Sequence, residues 1–139
     1  MNREEYLIKR IDKNKKVEDF LVYPSYVEIE TVNACNARCP MCTINDWERN
    51  YPVMRDNVFE KISDDLIENK KFLKRVSLYR DGEPLIDKKL HSRINKFYKN
   101  GIKETSIATN VSLLSEKKST ELLESGLGLI IMSIDSLDK

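Results

Sequence analysis

The apolar positions of this chain change their spacing several times, and each change marks an element. From Tyr26 to Thr31 they alternate, with Val27, Ile29 and Thr31 on one side and Tyr26, Glu28 and Glu30 on the other, the period of a strand. Asn57, followed three residues later by Glu60, has the form of a capping box. Val58, Phe59, Ile62, Leu66 and Ile67 then make one helical stripe, which predicts a helix over about 57–71. Alternation returns over 75–80, where Val76 and Leu78 oppose Ser77 and Tyr79, and it stops at the turn-forming Asp81-Gly82-Glu83-Pro84. Leu90, Ile94, Phe97 and Tyr98 form the next stripe, closed by Asn100-Gly101 with glycine where a helix end favours it. A third strand is predicted over about 103–109, and a short helix over about 116–125 with Leu122 and Leu123 inward. The run from Leu129 to Ile134 gives a fourth strand with the Ile and Leu content of a buried one. Ahead of all this, Tyr6, Leu7, Ile8 and Ile11, then Phe20 and Leu21, carry only a weak helical pattern.

Strands alternating with helices predict an α/β fold in which short crossovers build a parallel sheet with helices on its outer face. The expected division is a lead-in over 1–23 and one core over 24–139. At 139 residues the chain is short for a closed eight-stranded barrel, which takes about 250 residues. An open, partial barrel is therefore expected. The sequence stops just past a strand of buried composition, so further strands are expected beyond residue 139. Without them the fourth strand would lie exposed, and weak solubility or reliance on a partner would follow.

Composition narrows the class. Hydrophobic residues at 40% and charged residues at 34% fit a folded domain. A net charge of +1 gives no ground for nucleic acid or an anionic membrane as partner. No apolar run reaches the roughly 20 residues of a membrane span, and the N-terminus lacks a signal-peptide core, so a cytoplasmic location is expected. The basic clusters Lys13, Lys15, Lys16 and Lys70, Lys71, Lys74, Arg75 have acidic neighbours and read as solvated faces.

Candidate chemistry lies where parallel folds place it, at the carboxyl ends of the strands. The first strand leads into Cys35, Cys39 and Cys42, the second into Gly82-Glu83-Pro84, the third into Thr109-Asn110, and the fourth carries Ser133 and Asp135. The three cysteines are all the chain has and fall within eight residues, which points to a metal site rather than a disulfide framework. Thiolates suit zinc and iron-sulfur clusters alike. Structural zinc takes four ligands, however, and the single histidine, His91, falls in the middle of the second predicted helix. Electron-transfer clusters also use four cysteines, so three protein ligands would leave one iron open for chemistry.

The stretch VEIETVNACNARCPMC, with Cys-x3-Cys-x2-Cys directly after a first strand, resembles the signature of the radical S-adenosylmethionine superfamily. The resemblance implies a partial (β/α) TIM-like barrel, here with about four of the usual six units. It implies that Cys35, Cys39 and Cys42 hold a 4Fe-4S cluster whose fourth iron chelates S-adenosylmethionine. One-electron reduction then gives methionine and a 5′-deoxyadenosyl radical that abstracts hydrogen from a substrate. It further implies that Gly82 lets backbone approach the ligand, that Glu83 accepts from the methionyl ammonium, and that Pro84 completes this motif. Thr109-Asn110 resembles a Thr-Asn-Gly segment near the cofactor's polar groups, with Val111 in place of glycine. Ser133 and Asp135 resemble the Ser-Ile-Asp stretch of the fourth strand, and Met41 takes the apolar position beside adenine. An oxidoreductase or transferase reaction, a reductant protein such as a flavodoxin or ferredoxin, and a peptide, protein or small-molecule substrate are likewise implied. YPVMRDNVFEKI and TELLESG look most like the branch that often adds a C-terminal SPASM-type auxiliary-cluster domain, which has no counterpart in this sequence.

Two other readings stand beside it. One is a non-catalytic iron-sulfur redox or binding fragment, and the other is a zinc-binding interaction module. Val27 and Ile29 facing the helices would turn Glu28 and Glu30 toward the concave side of the sheet, which predicts a polar lumen. Tyr79, Arg80, Asp81, Trp47 and His91 receive no assignment.

Overall fold

The computed structural model describes residues 23–48 and 51–134, so all of the lead-in over 1–23 but its last residue, and Asp135, lie outside the described residues. Four strands form one sheet: β1 (Tyr26–Glu28), β2 (Arg75–Ser77), β3 (Thr105–Thr109) and β4 (Leu129–Met132). Their order is β1-β2-β3-β4 and every neighbouring pair is parallel. Helices α1 (Asp56–Glu68), α2 (Leu90–Lys99) and α3 (Glu116–Glu124) fill the three crossovers. This is the α/β architecture that the alternating periods predict.

Alternation along each strand divides the sheet's two faces. Val76, Leu78 and Ile107 are fully buried and meet Phe59 and Leu66 of α1 and Ile94 and Phe97 of α2. The rings of Phe59 and Phe97 meet edge-on with centroids 5.8 Å apart. Ser77 and Ser106 share a hydrogen bond of 2.9 Å between β2 and β3. Val27 and Ile29 join the helix-side cluster, while Glu28 is exposed.

Several expectations are corrected. The regular strands are shorter than the alternating runs, although Ile29 N–H still donates to Ser77 O at 2.8 Å and Leu78 N–H to Ser106 O at 2.8 Å. The capping box is not formed: Arg55 is the N-cap of α1, without a side-chain cap, and Asn57 lies inside the helix. Val58, Tyr98 and Leu123 are exposed rather than inward, because each follows or precedes a buried neighbour by about 100° of helical turn. Leu122 alone of its pair is buried, whereas Leu123 is 82% exposed. His91 lies in the first turn of α2 and is exposed. β4 is not the buried strand its composition predicts. Leu129 and Ile131 are exposed and only Ile130 packs on the core, because among the described residues no strand lies beyond β4.

Helix ends follow local chemistry. Gly101 and Gly126, with φ of 89° and 82°, leave α2 and α3 through the left-handed region. Ser115 caps α3 by accepting from Lys118 N–H. Between the turn Pro84–Ile86 and α2 lies a buried ion pair, Arg93 Nη1 standing 2.9 Å from Asp87 Oδ2. Arg93 also donates to Met54 O at 2.7 Å and lies over the Phe59 ring at 4.8 Å. Among the described residues no helix is long and apolar enough to cross a membrane.

Candidate functional site

Three loops leave the carboxyl ends of β1, β2 and β3 and meet on one rim. Gly82 makes the meeting sterically feasible. A Cβ at this position would stand 2.0 Å from Val32 O and 3.1 Å from Ala34 O, so the β2 loop approaches the β1 loop as closely as only glycine allows. Glu83 N–H then donates to Ala34 O at 2.9 Å, one residue before the first cysteine.

The Glu83 side chain turns the other way and joins the β3 loop. Its Oε1 accepts from Leu85 N–H at 2.9 Å and from the Thr109 hydroxyl at 2.7 Å, and its Oε2 accepts from Asn110 N–H at 2.8 Å. The residue is 3% exposed. Glu83 therefore fastens its own loop to the β3 loop with two hydrogen bonds and braces its own turn with the third, and Pro84, buried behind it, starts the short turn Pro84–Ile86. Thr109 also accepts from Val111 N–H at 3.1 Å. Val111 adopts φ of 57°, so valine keeps here the left-handed geometry that glycine would take without strain. Ser133 is joined to the same rim through its backbone, its N–H donating to Thr109 O at 2.9 Å.

The cysteine loop is held across this rim. Cys35, Cys39 and Cys42 form no disulfide and are half-buried. Cys35 Sγ accepts from Ala37 N–H at 3.4 Å and from the Asn110 side-chain amide at 3.7 Å. A turn in which Cys42 N–H donates to Cys39 O at 3.0 Å brings the last two cysteines to one end of the loop. Arg38 Nη1 closes the first half by donating to Cys35 O and Ala37 O. A hollow of about 230 Å³, lined in part by Ala34, Cys35, Arg38, Ile44 and Trp47, adjoins Cys35. Met41 is 83% exposed. Among the described residues no three His, Cys, Asp or Glu side chains gather around one ion position. A polynuclear cluster makes a different demand, since each thiolate takes its own metal atom. Three thiols on one loop, none of them in a disulfide and with N–H donors already directed at Cys35 Sγ, make a donor set that fits such a group.

On the face of the sheet opposite the helices Arg80 pairs with Glu28 at 2.5 Å and lies 3.7 Å from Asp81, while Asp81 N–H donates to Glu30. The hydrogen bond to Glu28, helped by the charges of Asp81 and Glu30, pushes the Arg80 guanidinium further above its usual range. Polar residues thus line this edge of the sheet, as the turning of Glu28 and Glu30 predicts.

The structure therefore brings Gly82, Glu83, Pro84, Thr109, Asn110 and Ser133 together with Cys35. Sequence reading misses Asn36 and Ser112, which bond to each other and to Asn110. Only the Asn-x-Ser spacing of Asn110 and Ser112, suited to a side chain capping the backbone two residues on, could have drawn attention to the second.

Comparison with known proteins gives the same direction throughout. The family model for the radical SAM superfamily matches residues 29–139. The tungsten-containing aldehyde ferredoxin oxidoreductase cofactor-modifying protein of Pyrococcus furiosus is 33% identical over 114 residues, 81% of this chain and 31% of that protein. Among solved structures, BtrN in complex with AdoMet and 2-DOIA superposes with a TM-score of 0.68 at 27% identity, covering 78% of this chain and 44% of that one. Selenomethionine BtrN in an open conformation gives a TM-score of 0.66 at 26% identity, covering 78% and 49%. The chain thus spans from 31% to 49% of the length of these relatives.

Proposed function

The chain belongs to the radical SAM superfamily, and from that premise we propose that it is the core of a radical S-adenosylmethionine enzyme, binding a 4Fe-4S cluster and S-adenosylmethionine on the rim above β1–β3. Cys35, Cys39 and Cys42 would ligate three irons. Gly82, Glu83, Pro84, Thr109, Asn110 and Ser133 would form the seat for the nucleotide, with Met41 beside it. When bound, the pair supplies one-electron cleavage of the sulfonium to methionine and a 5′-deoxyadenosyl radical, which takes hydrogen from a substrate.

What this chain's residues contribute is placement. Glu83 spans the β2 and β3 loops with its carboxylate and reaches the cysteine loop with its backbone. A rim fixed at three points excludes the misplacement that makes reactive intermediates decay unproductively. The observation that carries the reading is this convergence of the cysteine loop, Glu83 and Asn110 in a chain matched by the family model over residues 29–139. BtrN, a structural neighbour, is held with AdoMet, which supports the same cofactor here. The polar edge formed by Glu28, Glu30, Arg80 and Asp81 supports a polar substrate, and a cytoplasmic flavodoxin or ferredoxin would be the electron donor.

Anaerobic reconstitution with iron and sulfide tests this. Formation of 5′-deoxyadenosine from S-adenosylmethionine under reductant is the expected result. A bound cluster without cleavage would favour a redox or binding fragment, and retention of zinc alone would favour an interaction module.

A further inference from the structure

The cysteine loop and the β3 loop are fastened by a closed circuit of three side chains. Asn36 Nδ2 donates to Ser112 Oγ at 2.7 Å, Ser112 Oγ donates to Asn110 Oδ1 at 2.6 Å, and Asn110 Nδ2 donates to Asn36 Oδ1 at 3.1 Å. Each member gives one hydrogen and takes one in the same rotational sense, so each bond polarises the next. The circuit closes because Val111, at φ of 57°, turns the chain back and lets Ser112 N–H donate to Asn110 Oδ1 at 3.1 Å.

One hydrogen of the Asn110 amide remains outside the circuit, and Nδ2 lies 3.7 Å from Cys35 Sγ. The oxygen of that amide takes two bonds and its nitrogen gives two, which uses all four of its hydrogen-bonding positions. Its backbone is held independently by Glu83 Oε2. Asn110 can therefore not rotate without breaking a bond already made.

We propose that Asn36 and Ser112 are positioning residues that aim the Asn110 amide at the Cys35 sulfur, so that Asn110 tunes the metal-ligating thiolate. The proposal rests on the reading of Cys35 as a cluster ligand. An N–H directed at a ligating sulfur draws electron density from it and favours the reduced, more negative state of a cluster. A merely structural circuit would act otherwise. Asn36 and Ser112 are exposed, where a lost hydrogen bond is replaced by water at little cost. Their removal would then leave a cluster's potential unmoved.

The test uses the whole chain, reconstituted anaerobically with iron and sulfide, in four forms: wild type, Asn36→Ala, Ser112→Ala and Ser112→Thr. Iron and sulfide content, the reduction potential from an electron-paramagnetic-resonance titration, iron loss to a chelator and the thermal midpoint are measured for each. Both alanine variants should hold the wild-type thermal midpoint while the potential shifts negative and iron affinity falls by about 10–100-fold. Ser112→Thr keeps the hydroxyl and should stay near wild type. Alanine variants with unchanged potential and unchanged iron retention overturn the proposal but leave the cluster reading standing. A wild-type chain that takes up no iron and sulfide overturns both.

Discussion

A single carboxylate on the rim joins three separate donors, and its removal tests the site's construction most directly. Glu83→Ala would leave the Leu85 and Asn110 amides and the Thr109 hydroxyl without an acceptor in a buried place. Urea denaturation should show a loss of about 3 kcal/mol or more, since buried donors deprived of a charged acceptor cost about 1–3 kcal/mol each. Glu83→Gln keeps one oxygen acceptor and should fall between the two. Val111 makes the opposite case. Its left-handed backbone costs a β-branched residue about 1–2 kcal/mol, and glycine would remove that strain while adding chain entropy worth about 0.5–1 kcal/mol. Val111→Gly is expected to leave stability unchanged or raise it by up to about 1 kcal/mol. A clear loss would mean that the half-buried valine side chain packs to more effect than its backbone is strained.

Elements owe their placement to a few buried anchors rather than to propensity. Helix α2 is tied to the turn after the Gly-Glu-Pro motif by Arg93 and Asp87, whose side chains are 4% and 1% exposed. Arg93 also reaches Met54 O and Asp56 and stacks on Phe59, so one guanidinium connects α2, α1 and the β2 loop. Arg93→Ala would leave the buried Asp87 charge without its cation, held only by Lys89 N–H, and chemical denaturation should record a loss of about 3–5 kcal/mol. A loss below about 1 kcal/mol would show that Asp87 finds water or another cation. The sequence gives no sign of this pair, because neither spacing nor burial of a charged residue is periodic. Element types were legible and their ends were not. The runs over 26–31 and 75–80 alternate for six residues each, yet regular pairing covers three in both, since β pairing stops where the loops diverge to form the rim.

For the whole molecule the edge that β4 leaves open among the described residues is the dominant physical fact. Leu129, Ile131, Met132 and Ile134 are exposed together on or beside β4, and a groove of about 360 Å³ runs between that strand and α3, lined by Leu122, Leu123, Leu127 and Ile130. A strand edge with no neighbour and apolar side chains is a template for association. Sedimentation velocity should therefore detect self-association of this chain, and Ile131→Lys should reduce it while changing stability by no more than about 0.5 kcal/mol. A wild-type chain that sediments as a monodisperse monomer would count against this.

Period, punctuation and the cysteine spacing determined the parallel α/β order and the loops that carry the unusual residues. These are local signals, since strand and helix periods are written in consecutive side chains and a rim follows from strand direction alone. Tertiary structure decided what those residues touch. That Glu83 spends its carboxylate on Leu85, Thr109 and Asn110, and that Asn36 and Ser112 meet across 76 residues of chain, depends on loops approaching through the space left by Gly82. It also decided which face of each helix is buried and that β4 lies at an edge among the described residues, because burial belongs to neighbours far apart in sequence, which no local pattern encodes.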